Sequence, residues 1–185
     1  MYEKTVDMVL DGIKCTLKLL FIEEKDRPQI RELFGAWKKT AFGMKNFKAR
    51  AVNLPEGISE SAFCLNFPNT ARVIKVTGGR GSFDVIDLKR KVRIQVKAVS
   101  VGEDLTSFGP RSIWDELYWL DFYNNGKLDG TFDVYKIPDD LLYNFKVNIK
   151  QTFKDQQQEK RRPRLRIRED IIKPNNLKPI KRCKI

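Results

Sequence analysis

Asp84 stands in the stretch Gly81-Ser82-Phe83-Asp84-Val85-Ile86-Asp87, and Gln95 and Lys97 follow in Arg93-Ile94-Gln95-Val96-Lys97. A carboxylate therefore lies in one apolar segment, and an amide and an ammonium lie two residues apart in the next. Side chains on a strand alternate between faces, so Gln95 and Lys97 point one way while Ile94, Val96 and Ala98 point the other. A turn near Lys89-Arg90-Lys91 folds that pair back beside Asp84. An acid, a second oxygen ligand and a lysine around one point suit metal-assisted hydrolysis of a phosphodiester. Magnesium takes oxygen ligands and keeps several waters, so few protein groups are needed. Asp84 offers a carboxylate, Gln95 a neutral carbonyl oxygen, and Val96 its main-chain carbonyl, which points along the sheet. Lys97 can hold the attacking water or offset charge on the phosphate. Asp87 competes as a ligand, but Phe83 and Val85 on either side of Asp84 fit a buried face, and Asp87 opens the polar turn.

Composition narrows the chemistry further. The chain has no histidine, which excludes Ser-His-Asp and Cys-His catalysis, His-Glu zinc hydrolase motifs and phosphoryl transfer to histidine. Cys15, Cys64 and Cys183 are isolated, with no CxxC, so neither a zinc ribbon nor a disulfide framework is expected. Cys15 and Cys64 fit buried positions, and Cys183 reads as an incidental thiol in a tail. The net charge of +12 favours a polyanionic partner, and nucleic acid is the commonest. At 185 residues the chain suits one domain with a hydrophobic core. No apolar run approaches the length that spans a bilayer, and the N-terminus has no signal-peptide pattern, so a cytoplasmic protein is expected.

The elements that must position Asp84, Gln95 and Lys97 come from periodicity. Apolar residues at near-helical spacing predict a helix over residues 5–21, and Asp26 with Pro28 opens a second through Ile30, Leu33, Phe34 and Trp37. Gly43 and the basic segment 45–50 close this helical region. Pro55 begins a third helix bearing Glu56 and Glu60, which Pro68 and Asn69 stop. Strands are expected over 72–76, 83–87, 92–99 and 132–137, with a Gly-rich turn at 78–81. Trp114, Leu117, Tyr118 and Leu120 predict a helix over 113–122, and its aromatic residues are assigned to the core rather than to a stacking platform. A turn at Asn124-Asn125-Gly126, a helix start after Pro138 and a short strand at 165–167 complete the pattern. Residues 173–185 read as a basic tail or loosely packed extension. The expected fold is α/β, with helices flanking a short mixed sheet in an α/β/α arrangement.

Asp84, the spacer and Gln95-Val96-Lys97 resemble the PD-(D/E)xK nuclease superfamily, in which type II restriction endonucleases are prominent. The resemblance covers roughly residues 56–100 and includes an upstream helix whose acid joins the metal site, which points to Glu60, with Glu56 second. Phe83 stands where that superfamily has proline, and Gln95 replaces its usual acid, lowering the negative charge of the site. The segment Glu103-Asp104-Leu105-Thr106-Ser107-Phe108-Gly109-Pro110, running into Trp114-Asp115-Glu116, is similar to small type II enzymes, in particular a family cutting an interrupted GC-N-GC site. The resemblance implies one restriction-endonuclease-like domain spanning 1–185 in the cytoplasm of a prokaryotic cell. It further implies catalytic Asp84, Gln95, Lys97 and Glu60, a Mg2+ held by Asp84, Gln95, Val96 and Glu60, and double-stranded DNA as substrate. Within that domain, residues 1–50 would serve dimerisation or DNA clamping, 51–150 catalysis and 151–185 recognition.

Recognition is expected from Gln157, Lys160, Arg161, Arg162 and Arg164, because arginine matches the guanine edge and glutamine the adenine edge. Arginines in such a cluster also hold phosphates, which position DNA without specifying sequence. Thr106, Ser107 and Arg111 form a second candidate surface. Double-strand cleavage at a near-palindromic site implies a homodimer. Two competing readings are a structure-specific repair or recombination nuclease of the same fold and a DNA-binding module with a decayed site.

Overall fold

In a computed structural model describing residues 1–49, 52–102 and 105–185, the chain opens with a hairpin, β1 (Tyr2–Leu10) and β2 (Ile13–Phe21). The helix expected over 5–21 is therefore corrected to two antiparallel strands in register from Tyr2↔Phe21 to Leu10↔Ile13. The physical reason is a period of two: Val6, Met8 and Leu10 and then Cys15, Leu17 and Leu19 all pack into one cluster. Asp11 and Gly12 between them take positive φ of 50° and 75°, the turn that matches strand twist. Among the described residues of the helical region expected over 1–50, only α1 (Arg27–Asn46) is α-helical, with Pro28 in its first turn. Arg50 of the basic segment, and Glu103 and Asp104 further on, lie outside the described residues.

Downstream come α2 (Glu56–Asn66), β3 (Thr70–Thr77), β4 (Val85–Asp87), β5 (Val92–Val99) and β6 (Thr106–Ser107). After them follow β7 (Glu116–Asp121), β8 (Thr131–Ile137), α3 (Asp139–Tyr143), α4 (Phe153–Gln158), β9 (Arg164–Leu165) and β10 (Lys181–Lys184). The sheet is larger than the short one expected: eight strands in the order β1-β2-β3-β4-β5-β7-β8-β10, antiparallel except where β5 runs parallel to β7. The helix expected over 113–122 is thus corrected to β7. Leu117 and Trp119 face one core cluster while Tyr118 and Leu120 face another, so burial on both faces produced a continuous apolar run. The assignment of Trp114, Tyr118 and Trp119 to the core holds, since all are buried.

Helices cover both faces of the sheet. Ile30, Phe34 and Trp37 of α1 and Ile58, Ala62 and Phe63 of α2 pack on Val85, Ile94, Val96, Tyr118 and Val134. On the opposite face Val99, Leu117, Trp119 and Ile137 meet Leu142 of α3, Phe153 of α4 and Ile167, Ile171 and Ile172 of a π-helical turn. The expected strand at 165–167 begins one residue earlier, and Ile167 already belongs to that turn. The C-terminus is no loose tail: β10 pairs with β8, and Cys183 and Ile185 are buried, so Cys183 is a core residue. Among the described residues no helix is long and apolar enough to cross a membrane.

Candidate active site

The turn between β4 and β5 brings Asp84 and Gln95 together. Asp84 lies just before β4, where its N–H donates to the Ile94 carbonyl at 3.1 Å and its carbonyl accepts from Val73 N–H at 2.9 Å. Beyond Ile94 the two strands part. The Asp84 carboxylate fills the gap, taking the Val96 N–H at 2.9 Å in place of a ladder partner. Gln95 Nε2 also donates to the Asp84 carboxylate. The N–H and C=O of one strand residue leave on the same edge, so the Val96 carbonyl opens onto the side where Asp84 sits. Ile94 and Val96 pack beneath α2, as alternation required. Lys97 points to the other face, its Nζ 5.8 Å from the Phe108 ring centroid. Asp87 does not compete: it accepts from Lys89 and Arg90 N–H at 3.0 and 2.9 Å and pairs with the Arg90 side chain, which closes the turn.

Glu60 arrives from α2, on the stretch between Ile58 and Cys64 that is wholly buried. Its only ion pair among the described residues is to Arg72 of β3, whose Nε and Nη2 each reach Glu60 Oε2 at 2.8 Å. Arg72 lies opposite Val85 in the β3–β4 register, one residue from Asp84. Sequence reading missed it, because nothing about an arginine in a strand announces a partner on a preceding helix.

The electrostatics make these carboxyls unusual. Burial pushes Asp84 up to about 6, against the opposing pull of the Lys97 ammonium and the Val96 N–H. Burial and the nearby Asp84 carboxylate push Glu60 up to about 7, against the pull of Arg72. Glu56 adds negative charge to both. Burial and the repulsion among these acids disfavour the ionised forms, and a cation placed between them would offset both. Gln95 Oε1 is buried and has no hydrogen-bond partner among the described residues, although a buried carbonyl oxygen needs one. No cluster of three or more His, Cys, Asp or Glu side chains disposed to hold a metal exists among the described residues. The donors gathered here are instead two carboxylates, an amide oxygen and a main-chain carbonyl. Such an all-oxygen set fits a hard divalent ion.

The residues expected to recognise DNA fall into two groups. Ser107 pairs with Arg164 across β6 and β9, and Gln157 Nε2 donates to the Ser112 carbonyl at 3.4 Å, beside Arg111. Ser107, Arg111, Gln157 and Arg164 thus lie on adjoining segments. Arg161 is engaged elsewhere, at 3.4 Å from both Glu159 and Gln151. Arg162 and Lys160 are exposed, and Lys160 adopts a positive φ of 58° after α4.

No solved structure matches the chain at a significant level. The sequence model of the Bsp6I restriction endonuclease family matches residues 22–174, from the end of the hairpin past the π-helical turn. The type II restriction enzyme Bsp6I of Bacillus sp. (strain RFL6) is 33% identical over 152 residues, which is 80% of this chain and 82% of that enzyme. The match contains Glu60, Asp84, Gln95 and Lys97, and the chain belongs to the Bsp6I restriction endonuclease family, a type II restriction endonuclease and so a site-specific deoxyribonuclease.

Proposed function

We propose that the chain is a Mg2+-dependent enzyme of the PD-(D/E)xK type, hydrolysing double-stranded DNA at a short site, GC-N-GC or a close relative of it. The observation that carries this reading is the convergence of Asp84, Gln95 and Val96 on one edge of β5, with Gln95 Oε1 lacking a partner. Asp84, Glu60, Gln95 Oε1 and the Val96 carbonyl would hold the ion. When bound, magnesium neutralises charge on the phosphodiester and acidifies water. Gln95 orients the Asp84 carboxylate through its amide, Arg72 holds Glu60, and Lys97 positions the attacking water or offsets phosphate charge. Gln95 in place of an acid leaves the site one negative charge lower, which favours a single tightly held ion.

Asp84→Ala should abolish cleavage of plasmid DNA in magnesium while duplex binding in calcium persists. Lys97→Ala should do the same without lowering the melting temperature. Cutting retained by either variant would remove that residue from the catalytic assignment. Discrete fragments from plasmid support restriction, whereas cutting confined to branched DNA would favour the repair reading. We also propose that the enzyme acts as a homodimer, with the N-terminal hairpin and α1 supplying the dimer contact or a DNA clamp.

A further inference from the structure

Most arginines of this molecule are occupied. Arg27, Arg72, Arg90, Arg93, Arg161, Arg166, Arg168 and Arg182 hold acidic side chains, and Arg31 holds the Ile185 carbonyl. Among the described residues, Arg80, Arg111, Arg162 and Arg164 make neither an ion pair nor a side-chain hydrogen bond, and all four are exposed. Of these, Arg80 and Arg111 are distant in sequence yet line one open recess with Gly81, Ser82 and Ile113.

That recess is built by main-chain contacts. Ser82 N–H donates to the Arg111 carbonyl at 3.3 Å, Ile113 N–H donates to the Ser82 carbonyl at 3.1 Å, and Ser82 and Ser112 form a parallel bridge. Gly81 makes the approach possible: its φ is 73°, and a Cβ there would lie 2.6 Å from Ile113. The arginines are thus carried on two loops fastened to each other, and Ser82 stands two residues before Asp84. A stitched pair of uncompensated guanidiniums at the approach to a phosphodiester-cleaving site has one natural ligand, the phosphates of the strand being cut. Arginine binds phosphate through paired N–H donors, and such contacts fix register without reading sequence.

We propose that Arg80 and Arg111 form a phosphate clamp on the duplex backbone next to the scissile position. The phosphate contact rests on the DNA substrate proposed above, and only its place beside the scissile position rests on the assignment of Asp84. Binding of a labelled random-sequence duplex, in calcium instead of magnesium and over a range of salt, tests it. Each phosphate contact contributes about 0.9 to the slope of log K against log salt. Arg80→Ala and Arg111→Ala should each lower the slope by about that amount, and the double variant by roughly twice as much. The double variant Arg80→Lys with Arg111→Lys should keep most of the slope, because it keeps the charges. An unchanged slope in the double alanine variant would overturn the clamp, as would a loss confined to the duplex the enzyme cuts at constant slope, the mark of base readers. Asp84→Ala measured alongside separates the two ideas: cutting by that variant would remove the catalytic assignment and leave the clamp result standing.

Discussion

Gln95 serves Asp84 with one end of its amide and leaves the other end unpartnered. That division is open to an amide and closed to an ionised acid. A glutamate would lose the donor and press a third carboxylate against Asp84 and Glu60. The two acids present already have raised values, from 3.8 to about 6 for Asp84 and from 4.5 to about 7 for Glu60, with burial the leading cause. Between those limits the folded protein binds more protons than the unfolded chain, so stability must fall as pH rises through the window. Metal-free protein in EDTA should therefore melt at lower temperature at pH 8 than at pH 5.5. Glu60→Gln should flatten this trend, and magnesium should raise the melting point of the wild type most at the alkaline end. A melting profile independent of pH in EDTA would contradict the burial of these carboxyls.

Among the elements, the hairpin and β10 differ from the rest in lying wholly outside the segment that matches the family. The hairpin nevertheless extends the sheet beyond β3, with Leu17 and Leu19 completely buried against Ala71, Phe83 and Ile86. Phe83 adjoins Asp84, so packing there bears on the position of the carboxylate. Leu17→Ala should cost about 2–5 kcal/mol of stability, read from denaturant unfolding. It should also weaken cleavage more than Leu142→Ala, a comparable truncation on the far face. Equal activity losses would show that the hairpin does not brace the site. At the other end, β10 covers the edge of β8, and Arg27 and Arg31 of α1 donate to the carbonyls of Lys184 and Ile185. The last strand thus ties the sheet edge to the first helix.

At the scale of the whole molecule, the charge of +12 acts over the Debye length and raises the encounter rate with DNA. Internal ion pairs leave that net charge unchanged but fix where many of the basic side chains lie: Arg90 and Lys136 both pair with Glu116, and Arg93 bridges Asp11 to Asp115. On the proposed reading, exposed cations without partners, Arg80, Arg111, Arg162 and Arg164 among them, decide where DNA sits. One chain carries one set of Asp84, Gln95 and Lys97, and the proposed homodimer would set one such group against each strand of a near-palindromic site. Sedimentation of the calcium-loaded enzyme on a duplex it cuts should give two protomers per site. A single protomer that still linearises supercoiled plasmid without a nicked intermediate would overturn the dimer.

The meeting of Asp84 with Gln95 was legible in the sequence because a local turn joins the segments that carry them, and alternation puts Gln95 and Lys97 on one face of β5. Glu60, with Glu56 second, came from the resemblance on the helix that Pro55 opens, and its burial on α2 is a finding of the fold. Family membership follows from residue identity and needs no coordinates. The hairpin was misread because its apolar residues satisfy two periods at once, and only pairing with β3 selects one. β7 was misread because burial on both faces erases alternation. The C-terminal strand, the hold of Arg72 on Glu60 and the fastening of the Arg80 loop to the Arg111 loop are contacts between segments remote in sequence. No local pattern encodes such pairings, since each depends on where other elements have already packed, and the tertiary structure alone decided them.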